Sequence, residues 1–401
     1  MQADKIILDI FVAIKRSFAL KTTKSHILKL TAAAILFCTA GGHAAKAQEI
    51  IMPQRWESAL YQSRPIYTQD TVTIRFLGDI MMHQAQIADA GSSGKGYDFS
   101  SYFKHLQDKI QEADLTIANM EFTLAGEPYT GYPCFSAPDA LADYMADCGT
   151  DVFLAANNHI FDKGTAGALR TIEKYRELEQ SKGIRFTGLA ADEEENATNN
   201  PLMIRIKGIN LALINCTYGT NLGLGSAWPR TIRLRDKDII TKAMSTAREK
   251  AADFIFVLPH WGTEYSLKHS TEQEEFARWI SGLGADFIIG AHPHVVQDTG
   301  RIGMTEVVYS LGNAVSNMSA PNTQLEFMAT VRLVRHENGD MEALPLELEY
   351  LWCSRPGGFS RHYTVIPVAE FIGRRDIWLN AGDYDKMIST YEKVRKETGI
   401  E

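Results

Sequence analysis

Short apolar runs rich in Val, Ile and Phe recur along this chain, and most of them alternate with stretches of helical spacing. Val72–Leu77 (VTIRFL), Leu115–Met120 (LTIANM), Val152–Ala156 (VFLAA), Leu202–Ile206, Leu211–Ile214, Phe254–Leu258, Phe287–Ile289 and Val307–Ser310 read as buried strands. Ala166–Lys182, Asp238–Lys250 and Thr271–Leu283 carry apolar residues at helical intervals, and Thr271 with Glu274 fits a capping box. Such alternation predicts an α/β sheet protein. The last third differs. Phe327–Val334 and Leu344–Leu351, separated by Asn338-Gly339-Asp340, predict a β-hairpin that completes a sheet. Asp383–Thr398 predicts an amphipathic closing helix packed on the outside.

Polar residues sit where these strands end. Asp79 follows the first run through Gly78, and Asn119 and Glu121 end the second. Asn157-Asn158-His159 follows the third. His260 follows Phe254–Leu258 through Pro259, and His292-Pro293-His294 follows Phe287–Ile289 through Gly290-Ala291. Ligands of α/β sheets bind at the carboxyl ends of strands. Five strands each deliver a carboxylate, an amide or an imidazole there, which predicts one metal-binding centre.

A mixed oxygen and nitrogen donor set suits Mn, Fe or Zn better than Ca or Mg, with one or two ions expected. A carboxylate bridging two ions would make a hydrolytic site. His159 is then placed to protonate a leaving group, and Asp162 to orient its ring. Asn119 and Glu264 are candidate substrate contacts, an exposed loop carboxylate being the plainer account of Glu264.

The chain has 401 residues, 45% of them hydrophobic and 22% charged, enough apolar material for a sizeable core. A net charge of −8 gives no electrostatic basis for a nucleic-acid partner. Lys15, Arg16, Lys21, Lys24 and Lys29, then the apolar LTAAAILFCTA (Leu30 to Ala40), then Ala45-Lys46-Ala47, predict an export signal over residues 1–47. An anchored N-terminal helix or a lipoprotein signal ending at Cys38 are the alternatives. The expected location is the periplasm or cell envelope. A polar lead-in over 48–70, a main domain over 71–372 and a helical segment over 373–401 would follow. Beyond the signal, Cys134, Cys148, Cys216 and Cys353 remain, either as four free thiols or with a bridge between Cys134 and Cys148.

Several residues have blander readings. His83, His105, His269, His336 and His362 lack companions and read as surface or satisfied core residues. Trp228 and Trp261 read as packing or rim aromatics. Arg230, Arg233 and Arg235 read as an alternating strand edge, with contact to an anionic substrate as the functional alternative. Ser310 has no nucleophile's partners.

Gly78-Asp79, Ala118-Asn119-Met120-Glu121, Ala156-Asn157-Asn158-His159 with Asp162 and Gly164, His260-Trp261-Gly262 with Glu264, Gly290-Ala291-His292-Pro293-His294 and Tyr309-Ser310-Leu311-Gly312-Asn313 together resemble the poly-γ-glutamate capsule-biosynthesis (CapA) family. That family is similar to the calcineurin-like metallophosphoesterases. The resemblance implies a four-layer α/β/β/α sandwich. It implies Asp79, Asn158, His260, His292 and His294 as metal ligands, Glu121 as the bridge, and His159 as the catalytic acid. Two positions depart from the phosphoesterase pattern: Met81 stands where a histidine is expected, and the second motif ends in Glu121 rather than aspartate. The function implied is an exported hydrolase acting on a phosphate ester or on an anionic envelope polymer, in company with a capsule-synthesis membrane complex. The alternative is a non-catalytic envelope component that binds or helps to export the polymer.

Overall fold

Successive residues of a strand face opposite sides of a sheet, and here the two sides face different cores. The computed structural model describes residues 70–92, 94–223 and 227–400, which form one compact unit. The first sheet has eight strands. They are β1 (Asp70–Ile80), β2 (Leu115–Met120), β3 (Val152–Leu154), β4 (Arg185–Thr187), β11 (Leu325–Arg335), β12 (Met341–Ala343), β13 (Glu347–Ser354) and β14 (Thr364–Pro367). The second has six: β5 (Leu202–Ile206), β6 (Ile209–Thr217), β7 (Phe254–His260), β8 (Phe287–Ile289), β9 (Thr299–Ile302) and β10 (Thr305–Val308).

In the first sheet the order is β14-β13-β11-β1-β2-β3-β4, with β12 pairing β11. β1 to β4 run parallel, and β11 to β14 extend the sheet antiparallel from the other side of β1. In the second the order is β9-β10-β8-β7-β6-β5, with β6, β7, β8 and β10 parallel. The expected second arm, Leu344–Leu351, lies mostly in β13, which pairs β11 over Leu325–Thr330, while the 336–340 turn, closed by His336 N–H donating to the Asp340 carbonyl, leads first into the short β12, which pairs the end of β11.

Three apolar cores fill the spaces between four layers. Leu211 and Leu213 of β6, and Phe254, Phe256 and Leu258 of β7, face Val72, Ile74 and Phe76 of β1 in the core between the sheets. The Phe76 and Phe256 rings meet there at 5.6 Å. The intervening residues Ala212, Ile214, Ile255 and Val257 turn outward. Helices α3 (Lys237–Glu249) and α4 (Thr271–Gly282) cover them with Ile240, Met244, Phe276 and Ile280. On the far side of the first sheet, α1 (Asp139–Cys148) and α2 (Gly164–Lys182) bring Leu141, Met145, Ile172, Tyr175 and Leu178 against Ala118, Met120, Phe153 and Phe186. The architecture is the four-layer α/β/β/α sandwich.

Two local expectations change. Helix α4 is capped by Ser270, whose hydroxyl accepts from Gln273 N–H while Gln273 reaches back to the Ser270 N–H, so the capping box lies one residue before Thr271 and Glu274. The closing helix α5 (Ala381–Thr398) does not lie outside: Tyr384, Met387 and Val394 join the core between the sheets. The first sheet is wider than the second, so the inner face of β11 and β13 needs this helix as its cover. Residues 373–400 are therefore continuous with the main domain. The expected export signal and residues 48–69 of the lead-in lie outside the described residues, as does Cys38. Cys134, Cys148, Cys216 and Cys353 carry free thiols.

Candidate metal centre

The carboxyl ends of β1, β2 and β3 meet those of β6, β7 and β8 along one seam. Two features build it. Gly78 sits at a bulge where β1 slips register against β2 between Leu77 and Asp79. A Cβ on Gly78 would lie 2.0 Å from the Gly312 carbonyl oxygen, so only glycine lets the 312–315 segment approach. That segment pairs with the end of β1: Asp79 N–H donates to the Gly312 carbonyl, and Met81 N–H to that of Val315. Bulges beside functional sites re-aim side chains, and Asp79 is the residue re-aimed. Asn215 of β6 stitches the sheets, accepting from Ala156 N–H at 2.7 Å and donating to the Leu258 carbonyl at 2.7 Å.

The predicted ligands converge. Asp79, Glu121, Asn158, His260, His292 and His294 are all buried. Asp79, Glu121 and His294 present ligand atoms within 4.8 Å of one another, and so do Glu121, His260 and His292. Glu121 belongs to both groups. It is 0% exposed, and neither of its carboxylate oxygens has a hydrogen-bond partner. His292 Nδ1 and Asn119 Oδ1 are buried and unpartnered as well. Anionic and lone-pair atoms left this way cost several kcal/mol unless a cation satisfies them. By this test the residues present fit a divalent metal.

The surrounding contacts fix the ring orientations. His260 Nε2 lies 2.8 Å from Asn158 Oδ1, and its Nδ1 3.2 Å from Asn119 Nδ2. Asn119 also donates to Asp79 Oδ1 at 2.7 Å. Asn119 was expected to touch substrate. It is instead 2% exposed, with its amide nitrogen turned to Asp79 and His260, two of the predicted ligands. Asp79 receives the His292 N–H at 3.2 Å and lies 3.3 Å from His294 Nδ1. Burial would raise the Asp79 carboxyl, yet the hydrogen bond and charge of His294, with His260 and Asn119, bring it below the usual carboxylate range. Burial likewise opposes the His294 imidazolium, and the charges of Glu121 and Asp79 outweigh it, pushing it up to about 9. His292 goes the other way, well below the ordinary histidine value, through burial and the neighbouring His260, His294 and His159. His292 and His294 hold φ of 100° and 59°, a left-handed backbone that costs a non-glycine residue about 1–3 kcal/mol. That turn brings both rings into one cluster.

His159 lies at its side. Its Nδ1 is 2.6 Å from Asp162 Oδ2, and Phe135 packs edge-on at 4.6 Å. Asp162 also accepts the Phe135 N–H, so the carboxylate is itself fixed. Glu264 is exposed, with a carboxylate oxygen within 4.8 Å of the His292 and His294 ligand atoms. Met81 is buried in the apolar core on the helix-covered face of the first sheet. His83 is half-buried against Gln86 and Phe135 and receives the Asn317 N–H. His105 packs among Phe359 and Phe371, His269 stacks on Tyr309, and His336 and His362 pair with Glu342 and Asp89.

Three more residues touch the cluster: Asn313, which the motif set includes without a role, and Tyr218 and Asn221, which no motif marked. Asn313 Oδ1 lies 3.0 Å from His294 Nδ1, while its amide donates to the His294 and Thr323 carbonyls. Tyr218 lays its ring 4.5 Å from that of His292. Asn221 Nδ2 lies 3.1 Å from His159 Nδ1, and its N–H donates to the Asn158 carbonyl. The available signal was position: Tyr218 directly follows β6, and Asn313 ends the turn after β10.

Comparison with known proteins agrees with the motif set. The sequence profile of the bacterial capsule synthesis protein PGA_cap family matches residues 73–318. The chain is 25% identical over 315 residues to the capsule biosynthesis protein CapA of Bacillus anthracis, covering 75% of this chain and 74% of that one. It is 25% identical over 292 residues to the PGA biosynthesis protein CapA of Bacillus subtilis, covering 70% and 73%. Among solved structures, the 5'-nucleotidase precursor of Thermus thermophilus matches at 13% identity and a TM-score of 0.44. That match covers 82% of this chain, which spans only 59% of the nucleotidase. The NAD nucleotidase of Haemophilus influenzae matches at 12% identity and a TM-score of 0.43, covering 82% and 68%. With the profile spanning more than half of its length, the chain belongs to the bacterial capsule synthesis protein PGA_cap family.

Proposed function

We propose that this chain is an exported, metal-dependent hydrolase acting on a capsule or envelope polymer. Glu121 carries the reading: a fully buried carboxylate with no hydrogen bond to either oxygen, shared by two triads of ligand atoms, would hold metal together with both groups. Asp79, Asn158, His260, His292 and His294 would complete the set, and these donors suit Mn, Fe or Zn. A bound ion of this kind polarises the scissile group and makes water nucleophilic near neutral pH. The chain's own residues do the rest. Asp162 engages Nδ1 of His159 and so leaves Nε2 as the nitrogen that hands a proton to the leaving oxygen or amine. Asn119 and Asn313 hold the His260 and His294 rings. Glu264 and Tyr218 flank the open side.

The names of the curated relatives support a role in capsule biosynthesis; the resemblance to the poly-γ-glutamate family favours an acidic, amide-linked polymer as substrate, with a phosphate ester as the other class the site chemistry suits. The N-terminal charged and apolar stretches support export to the periplasm or envelope, where membrane components of capsule synthesis would be partners. No described helix is long and apolar enough to cross a membrane. Metal analysis of purified protein, paired with phosphodiester and γ-glutamyl hydrolysis by wild type and His292→Ala, tests the proposal. Stoichiometric metal and turnover in wild type, both lost in the variant, are expected; wild type without stoichiometric metal sinks it. Met81 favours a second reading, because its burial in the core removes one histidine of the phosphoesterase pattern. A metal-loaded protein that binds polymer without cleaving it would establish that alternative.

A further inference from the structure

A cavity of about 420 Å³ lies beside the metal centre, lined by Phe161, Thr220, Trp228, Arg230, Lys242 and Glu193 among others. Its wall and the centre share two segments of chain. Phe161 is two residues past His159. Thr220 precedes Asn221, which touches Asn158 and His159. The segment from Tyr218 to Asn221 thus meets the His292 ring at Tyr218, the cavity at Thr220, and Asn158 and His159 at Asn221.

The lining carries cations that folding does not use. Arg233 is paired with Asp236. Arg230 has no carboxylate partner among the described residues and lies over the Trp228 ring, 4.7 Å from its centre. Lys242, exposed on α3, has none either. A guanidinium held on an indole keeps its edge free for a carboxylate. With Arg233 paired to Asp236, the remaining lining charges, Arg230, Lys242 and Glu193, leave a single positive charge in excess, which suits one carboxylate better than a dianionic phosphate, and the Asn196 amide can both donate to and accept from an amide. We infer that this cavity is a subsite for one amide-linked, carboxylate-bearing unit of the polymer, next to the bond held at the metal centre. The inference rests on the proposed function for its direction, since the neighbouring unit of the same chain is what would fill it.

The test is binding of a γ-linked glutamate pentamer to the full metal-loaded chain, by calorimetry and by tryptophan fluorescence. Wild type binds and its emission changes. Trp228→Phe loses most of that change. Arg230→Glu with Lys242→Glu weakens binding by roughly tenfold or more with an unchanged circular dichroism spectrum. Equal binding by wild type and the charge-reversed variant overturns the subsite, as does binding of a glycerol-phosphate oligomer in preference to the pentamer. Measuring His292→Ala separates the two claims. Pentamer binding without turnover in any metal-loaded form overturns the hydrolase and keeps the subsite; turnover with charge-insensitive binding does the reverse.

Discussion

His159→Ala removes a proton donor without touching a predicted ligand, so turnover should fall by roughly 10²–10⁴-fold while bound metal stays at the wild-type level. Asp162→Asn keeps the ring but loses the charge that orients it, and a smaller loss of about 10–100-fold is expected from the same kinetics. Equal turnover in wild type and His159→Ala would remove this residue from the mechanism. A second buried acid lies outside the chemistry. Glu326 of β11 is fully buried, neither of its oxygens has a hydrogen-bond partner, and burial followed by the charge of Asp79 pushes its carboxyl well up. A group whose folded pKa is raised stabilises the fold below its unfolded value of about 4.3, and that contribution fades as pH rises towards the folded pKa. Wild type should therefore lose thermal stability relative to Glu326→Gln between pH 4 and pH 8. Glu326→Leu, free of an unsatisfied polar group, should melt on the order of 2 °C higher at neutral pH. Parallel melting curves for wild type and Glu326→Gln across that range would contradict this account.

Gly78→Ala tests the seam at the level of elements. A methyl group there meets the Gly312 carbonyl oxygen and must push the 312–315 segment off the end of β1, carrying Asn313 away from His294. The variant should fold with its outer layers intact yet bind metal at least tenfold more weakly, as measured by competition with a chromogenic chelator. Asn313→Ala, with no backbone change, should reproduce about 10–100-fold of that loss. The different legibility of these parts has a physical cause. β2 and β8 have the bounds expected from the sequence, because strands buried on both faces read as unbroken apolar runs. The residues Asp79, Glu121, Asn158, His260 and His292 stood out because each interrupts such a run at its carboxyl end. Tyr218 and Asn221 did not, and Asn313 stood out only as part of a motif, because their contacts join segments remote in sequence. The bulge at Gly78 was hidden for the same reason. Helix α5 was visible as amphipathic, but its position over β11 and β13 depends on one sheet being wider than the other, which no local pattern records.

Across the whole molecule the centre sits on a division. Asp79, Glu121, Asn158 and His159 come from the first sheet and the segments that end its strands, and His260, His292 and His294 from the second. A cation held by both would tie the sheets at one end, where Glu121 otherwise shares the raised imidazolium of His294 with Asp79. Removing metal with a chelator should then lower the melting temperature. At a free metal concentration 100 times Kd the linkage amounts to about 2.7 kcal/mol, on the order of 5 °C for a chain of this size. Glu121→Gln gives the decisive comparison. The amide cannot bridge two cations, so the variant should show little metal-dependent shift. Without metal, Glu121 and Asp79 share the one raised imidazolium of His294, which leaves a buried negative charge in excess; the amide removes it, so the variant should melt above metal-free wild type. The order of stabilities thus inverts on loading: wild type above Glu121→Gln with metal, and below it without. If metal analysis shows the ion gone and both proteins keep their melting temperatures and their order, Glu121 is not the bridge.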